Sequence, residues 1–251
     1  AEYIESLQNL AEQFGRLNGV GRKSAMRMAF SVLDWTDADA EAFAHLYCPV
    51  GGSKVMNEVA KRLGYSTPEH EPTVAVLHCN GTCENAPDKV EYIGLQSCRL
   101  ANRAFVGKTG CPNGCLRLGD CVRNCPFGAI EMDDQTGLPR VNPDKCTSCG
   151  ACVRICPRGL YEIRPRGKNG VMVYVACSNK QKGATARKNC KAACIACMKC
   201  TKICPEVTVE ENLSRIPPSV SAKLYGAELA AGCPTGAIVY TGAKGDKNEQ
   251  N

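Results

Sequence analysis

The sequence predicts an α+β fold in which an N-terminal helical segment is followed by two tandem cysteine-rich modules. Three observations support this prediction. The chain contains 19 cysteines among 251 residues, and it is too long to be a small disulfide scaffold. Its first 46 residues contain no cysteine, and their apolar residues recur at helical spacing. Beyond them, at four places, a Cys–Pro step is followed by a short apolar run typical of a β-strand.

Residues 1–46 predict two helices joined by a glycine turn. The apolar positions of these helices are Leu7, Leu10, Phe14 and Leu17, then Ala25, Met28, Ala29 and Val32. Gly19 and Gly21 form the turn between them, and Arg22 and Lys23 follow. Because backbone N–H groups at such a turn can face a DNA phosphate, these four residues are candidate DNA contacts. A two-helix cap that binds no ligand is the alternative.

Residues 47–72 predict a connecting region. Cys48 precedes a short helix expected over 53–63, and the stretch STPEHEPT then leads to an apolar strand over 74–77. The remaining chain divides into a cysteine-rich region with a first module over 73–170, and a second module over 171–251.

The clearest motif is CTSCGACVRICP, which contains Cys146, Cys149, Cys152 and Cys156. This is the C-x2-C-x2-C-x3-C-P run of bacterial ferredoxins, in which three thiolates hold one 4Fe–4S cluster and the fourth serves the other cluster of a pair. Two such halves make one two-cluster module. The four Cys–Pro steps therefore predict two ferredoxin-like modules.

The first module pairs this run with CPNGCLRLGDCVRNCP. One cluster is expected on Cys125, Cys146, Cys149 and Cys152. The other half is irregular, because Leu118 stands where its middle cysteine would be. Three thiols then need one more ligand: Cys115, Cys121 and Cys156. Cys111 is the nearest spare thiol.

A further cluster could be closed upstream of this module. Its four candidate thiols are Cys79, Cys83, Cys98 and Cys111. Cys111 cannot serve both sites as a simple terminal ligand, so the spacing leaves this assignment open.

The second module begins with CKAACIACMKCTKICP and ends in a degenerate half. Lys223, Gly226 and Leu229 occupy positions where three cysteines would be. One cluster is therefore expected, on Cys194, Cys197, Cys200 and Cys233. The thiols without an assigned cluster are Cys177, Cys190 and Cys204. For Cys177 and Cys190 a structural role and ligation both stay open, and the total is three to four 4Fe–4S clusters.

Other ligand and function classes fit the sequence less well. The net charge of +6 is modest, and the negative charge of three or four clusters would offset it, so nucleic acid is not expected as a partner. The sequence contains no run of 18 apolar residues, so no transmembrane segment is predicted. No G-x-G-x-x-G follows a strand, so nicotinamide and flavin are expected on partners, and no catalytic side chains are expected here. Zinc sites use paired C-x2-C knuckles, whereas consecutive x2 spacings followed by x3 and proline favour a cluster.

Residues 47–251 resemble the B subunit of the Rnf complex, an ion-translocating ferredoxin:NAD+ oxidoreductase. The resemblance rests on the stretch from HCNGTC to CPFGAI and on the two ferredoxin-type runs. It implies an electron-transfer subunit of a translocase that takes electrons from reduced ferredoxin and passes them to other complex subunits. It also implies a cytoplasmic location, peripheral at the inner face of the membrane.

This sequence departs from the Rnf family in its N-terminal part. The family has a membrane anchor and then a C-x2-C-x4-C-x16-C domain, of which Cys48 alone remains, so residues 47–72 are expected to be a remnant of that domain with a linker. Residues 3–44 instead resemble the helix-hairpin-helix of the recombination mediator RecR, without its four-cysteine zinc finger. The alternatives to electron transfer are therefore an iron–sulfur DNA-binding or repair protein and a structural zinc scaffold.

Overall fold

The structure is a computed structural model that describes residues 5–16, 21–44, 57–58, 60–61, 64–65, 71–167 and 170–242. Leu17, Gly19, Cys48 and most of the helix expected over 53–63 lie outside these residues. The chain divides into two compact units, Ala1–His70 and Glu71–Asn251.

The first unit contains three described helices, α1 (Glu5–Gly15), α2 (Arg22–Leu33) and α3 (Asp37–Ala44). Helices α1 and α2 pack through buried Leu7, Ala11 and Ala29, which confirms the two expected helices. The expected apolar face is wrong at one position. Met28 is 37% exposed, and Met26 packs against the core instead, because the helix turns that side of α2 towards α1.

The second unit begins with a module of four strands and three short helices. Its elements are β1 (Thr73–Leu77), α4 (Cys98–Ala104), α5 (Asp120–Arg123), β2 (Ile130–Met132), β3 (Pro139–Val141), α6 (Ala151–Ile155) and β4 (Tyr161–Pro165). Strand β1 pairs antiparallel with β4, with Leu77 opposite Tyr161. Strands β2 and β3 form a hairpin whose turn places Gly137 at a φ of 68°, a conformation that favours glycine.

A second module repeats this order of elements. It consists of β5 (Val173–Val175), α7 (Gly183–Asn189), α8 (Lys199–Ile203), β6 (Thr208–Glu210), β7 (Leu213–Arg215), α9 (Ala222–Gly232) and β8 (Ile238–Tyr240). Strand β5 pairs antiparallel with β8. The two residues between β6 and β7, Glu211 and Asn212, both have positive φ, as a two-residue hairpin turn requires.

The apolar runs after the four Cys–Pro steps form β2, β4, β6 and β8. The α+β class, the N-terminal helices and the tandem modules are therefore confirmed. No helix in the described part of the chain is long and apolar enough to cross a lipid bilayer.

The degenerate last half of the second module is a packed helix. Leu229 of α9 is fully buried, and Cys204 is fully buried in the same apolar core. Gly226 faces the ring of Tyr240, where an added Cβ would lie 2.3 Å from Cδ2. Apolar side chains therefore fill this half of the module.

Candidate metal centres

Three cysteine-bearing loops share one backbone conformation. In each loop, residues with positive φ stand four and two positions before a cysteine at the start of a short helix. These pairs are Arg117 and Gly119 before Cys121, Ser148 and Gly150 before Cys152, and Ala196 and Met198 before Cys200. Left-handed residues at alternate positions are typical of backbone nests, whose N–H groups converge on anions such as iron–sulfur clusters. Non-glycine residues adopt this conformation uncommonly, because it costs about 1–2 kcal/mol per residue.

Site 1 comprises Cys125, Cys146, Cys149 and Cys152. Cys152 is buried, and Cys125 and Cys146 pack against the same apolar cluster. Burial raises the pKa of the Cys152 thiol to about 11, and the neighbouring Cys146 adds to this effect. The backbone N–H of Ala129 donates to Cys125 Sγ at 3.3 Å.

Two hydroxyls in the loop of site 1 lack partners. Thr147 Oγ1 and Ser148 Oγ are buried, and neither makes a hydrogen bond within the described part of the chain. Buried hydroxyls are normally hydrogen-bonded, so these two atoms indicate an acceptor group in this loop.

Site 2 comprises Cys98, Cys115, Cys121 and Cys156. These four cysteines line one cavity. Cys98 is buried beside Leu118, the residue that replaces a loop cysteine. The structure thus brings Cys98, rather than Cys111, to the three thiols whose fourth ligand the spacing leaves open.

Cys98 is positioned by Asp120, which connects α4 to α5. The Asp120 carboxylate accepts hydrogen bonds from the backbone N–H of Arg99 at 3.0 Å and from Ser97 Oγ at 3.2 Å. Burial opposes ionisation of Asp120, but the N–H of Arg99 and the guanidinium of Arg123 outweigh it and lower its pKa. Because Cys98 begins α4 and Cys121 lies in α5, this carboxylate holds two thiols of site 2 together.

The sulfur atoms of site 2 accept three hydrogen bonds, each at 3.4 Å. Backbone N–H groups of Arg117 and Leu160 donate to Cys115 and Cys156. The phenol of Tyr161 donates to Cys121. The spacing of cysteines gives no information on these donors, so Tyr161 was not among the predicted site residues.

Site 3 comprises Cys79, Cys111, Cys177 and Cys190. They line one cavity, which Cys115 also borders. The amide of buried Asn179 donates to Cys111 Sγ at 3.5 Å, and the N–H of Cys115 donates to Cys79 Sγ at 3.4 Å. Burial raises the pKa of Cys177 to about 12.

The upstream thiols expected to share one cluster are thus divided. Cys98 lines the cavity of site 2, whereas Cys79 and Cys111 line that of site 3. Cys83 is exposed and lines neither cavity; its sulfur lies 3.7 Å from the guanidinium of Arg117. Cys177 and Cys190, whose role the spacing leaves open, complete site 3.

Site 4 comprises Cys194, Cys197, Cys200 and Cys233, the set expected for the second module. These four cysteines line one cavity. Ser214 contacts two of them: its N–H donates to Cys194 Sγ at 3.4 Å, and its hydroxyl lies 3.2 Å from Cys200 Sγ.

Cys233 of site 4 and Cys204, which belongs to none of the sites, differ in environment. Burial opposes ionisation of Cys233, but hydrogen bonds from Thr235, Ile238 and Ala237 outweigh it and lower its pKa. Cys204 packs in the apolar core and lines none of the three cavities described above.

These sites fit a polynuclear group better than a single ion. Within the described ranges, no three Cys, His, Asp or Glu side chains lie close enough together to hold one metal ion. At sites 2, 3 and 4 the thiols instead line cavities. Burial raises the pKa of several of the site thiols, so a cationic group is needed to hold these as thiolates. This geometry favours 4Fe–4S clusters over tetrahedral zinc, which needs four close ligands.

The candidate DNA contacts lie at the start of α2. Gly21 precedes the helix in an extended conformation, and its carbonyl accepts from Ala25 N at 2.9 Å. Arg22 and Lys23 are exposed on the first turn. Gly19 lies outside the described residues.

Three family models match parts of the chain. Residues 109–160 match a 4Fe-4S dicluster domain, and residues 191–210 match a 4Fe-4S binding domain. Residues 7–46 match the helix-hairpin-helix of RecR. The ferredoxin-like fold and 4Fe–4S clusters as cofactors are thereby confirmed.

Curated relatives cover 193 residues, or 76% of the chain. The chain is 42% identical to the B subunit of the proton-translocating ferredoxin:NAD(+) oxidoreductase complex of Clostridium ljungdahlii, over 66% of that protein. It is also 42% identical to the B subunit of the Na(+)-translocating ferredoxin:NAD(+) oxidoreductase complex of Acetobacterium woodii, over 56% of that protein. The B subunit of the ion-translocating oxidoreductase complex of Methanosarcina acetivorans is 36% identical, over 71% of its length. The chain thus spans less than two thirds of the first two relatives.

Proposed function

Because the chain belongs to the family of B subunits of Rnf-type ion-translocating oxidoreductase complexes, we propose that it transfers electrons from reduced ferredoxin to other subunits of such a complex. The observation that carries this proposal is the convergence of four-cysteine sets in one compact unit. Sites 2, 3 and 4 each surround a cavity, and site 1 carries the unbroken ferredoxin-type run. We propose that these four sites hold four 4Fe–4S clusters.

The chain's own residues orient sulfur and control the local charge. Left-handed loop residues direct N–H groups inward, and donors such as Leu160 and Ser214 bond to cysteine sulfur. Bound clusters would supply one-electron redox chemistry. Hydrogen bonds to sulfur and burial of the thiols are the means by which this chain sets their potentials.

Basic side chains near the sites support the proposal that the electron donor is an acidic protein. The exposed ones beside site-forming helices are Arg123, Arg154, Lys199 and Lys202. Such residues steer negatively charged partners and speed their association. We place the protein at the inner face of the membrane through contact with the other subunits of the complex.

Anaerobic purification of the full chain tests this proposal. Four loaded sites would hold about 16 irons and as much acid-labile sulfide per chain, with broad visible absorption that reduced ferredoxin bleaches. Cys149→Ser is expected to remove the cluster of site 1, and Cys83→Ser serves as the matched control because its thiol lies outside the four sites. A colourless protein that contains zinc would contradict the proposal.

DNA binding is a second candidate function of the first unit. It is supported by the match to the RecR helix-hairpin-helix and by exposed Arg22 and Lys23. A gel shift of duplex DNA that weakens steeply with salt, and that Lys23→Glu abolishes, would support it. Absence of any shift at low salt would exclude it.

A further inference from the structure

Tyr161 breaks the symmetry of the internal repeat. Each of the four Cys–Pro steps places a strand residue five positions after its cysteine: Ile130, Tyr161, Val209 and Ile238. Three of these residues are aliphatic, and Tyr161 alone among the four carries a hydroxyl. The same register therefore presents a hydrogen-bond donor in one half-module and none in the others.

The hydroxyl of Tyr161 is directed at a sulfur of site 2. It donates to Cys121 Sγ at 3.4 Å, and the side chain is 5% exposed. A phenol ordinarily keeps its proton at neutral pH, so this hydroxyl can donate to the sulfur. Tyr161 lies in strand β4, opposite Leu77 of β1.

Ile130 is the counterpart of Tyr161 at site 1. Ile130, Tyr161, Cys121 and Cys152 lie in one apolar cluster, and Cys152 occupies the position in its loop that Cys121 occupies in the other. Ile130 has no polar side-chain atom, so it donates no hydrogen bond to Cys152. At this strand position the two halves of the first module thus differ in one donor.

We propose that Tyr161 raises the reduction potential of site 2. The inference rests on the proposed ligand set of site 2. Reduction adds negative charge to a thiolate-bound cluster, and a hydrogen bond to cysteine sulfur favours the more negative state. Tyr161 therefore makes site 2 easier to reduce than it would be without the phenol.

The test is Tyr161→Phe in the full, iron-loaded chain, with redox titration followed by electron paramagnetic resonance. The signal of site 2, identified by its absence in Cys98→Ser, should lose about tenfold in its reduction equilibrium constant, or about 59 mV for a one-electron couple. The signal of site 1 should not move. Tyr174→Phe is the matched control, since it removes a phenol of the same unit whose ring contacts His78.

The outcomes distinguish a role of Tyr161 in setting the reduction potential of site 2 from a role in packing alone. Unchanged potentials with full iron in Tyr161→Phe would overturn the proposal but leave the ligand sets intact. Tyr161→Ile is a second variant, which places at this position the residue found at the equivalent positions 130 and 238 and also lacks the hydroxyl. Loss of iron in both variants would overturn the proposal and show that Tyr161 has a packing role. Full iron in Cys121→Ser would instead contradict the ligand set of site 2 and the proposed function with it.

Discussion

Leu118 and Cys98 show how a missing ligand can be replaced from another part of the chain. Leu118 occupies the loop position that Cys149 and Cys197 occupy elsewhere, yet its loop keeps the left-handed residues of the other two. Cys98 packs beside it from α4. The sequence revealed the gap at Leu118, because loop spacing is local. It could not reveal Cys98. The chain between the helix of Cys98 and this loop contains no helix or strand, so the sequence does not predict where that helix packs.

Cys98→Ser is expected to lower the iron content by about four per chain, since site 2 loses a ligand. Iron analysis and counting of paramagnetic signals measure this loss. Cys83→Ser, the neighbouring exposed thiol, should keep its full iron content. The ligand assignment would be reversed if Cys83→Ser lost iron and Cys98→Ser did not.

At the scale of elements, a helix replaces a cysteine loop in the last half-module. The sequence predicted that this half lacks ligands, from Lys223, Gly226 and Leu229. It did not predict what fills the space, because that depends on contact between α9 and β8. Gly226 admits the ring of Tyr240, and Leu229 is fully buried behind it. The helix is thus specified by tertiary packing as much as by its own residues.

Gly226→Ala is expected to destabilise the protein by about 1–3 kcal/mol, because its new methyl group would overlap the Tyr240 ring. Without this overlap, replacing glycine by alanine in a helix interior would stabilise the protein by about 1 kcal/mol. The sign of the change in unfolding free energy therefore separates the steric overlap from helix propensity. Chemical unfolding followed by circular dichroism measures it. In a Tyr240→Leu background the loss should be smaller; an equal loss in both backgrounds would show that the ring is not the cause.

At the scale of the whole molecule, site 3 connects the two modules. Cys79 and Cys111 come from the first module, and Cys177 and Cys190 from the second. The tandem repeat was predictable, since each half carries its own Cys–Pro step and strand. This joint site was not, because its cysteines follow no ferredoxin spacing and lie far apart along the chain. A shared site of this kind would make the two modules unfold together when iron is removed, because cluster binding contributes to folding.

The unit Glu71–Asn251 contains all four sites, which leads to a prediction about the first unit. A chain that begins at Glu71 should keep its full iron content and its reduction by ferredoxin, because Ala1–His70 supplies none of the thiols of sites 1 to 4. Iron analysis and ferredoxin-dependent bleaching of the truncated and full chains measure this. Loss of iron on truncation would show that the helices stabilise the cluster-binding unit.

The same pair of proteins tests the second candidate function: if the full chain shifts duplex DNA in a salt-sensitive manner and the truncated chain does not, Arg22 and Lys23 belong to a DNA-binding unit.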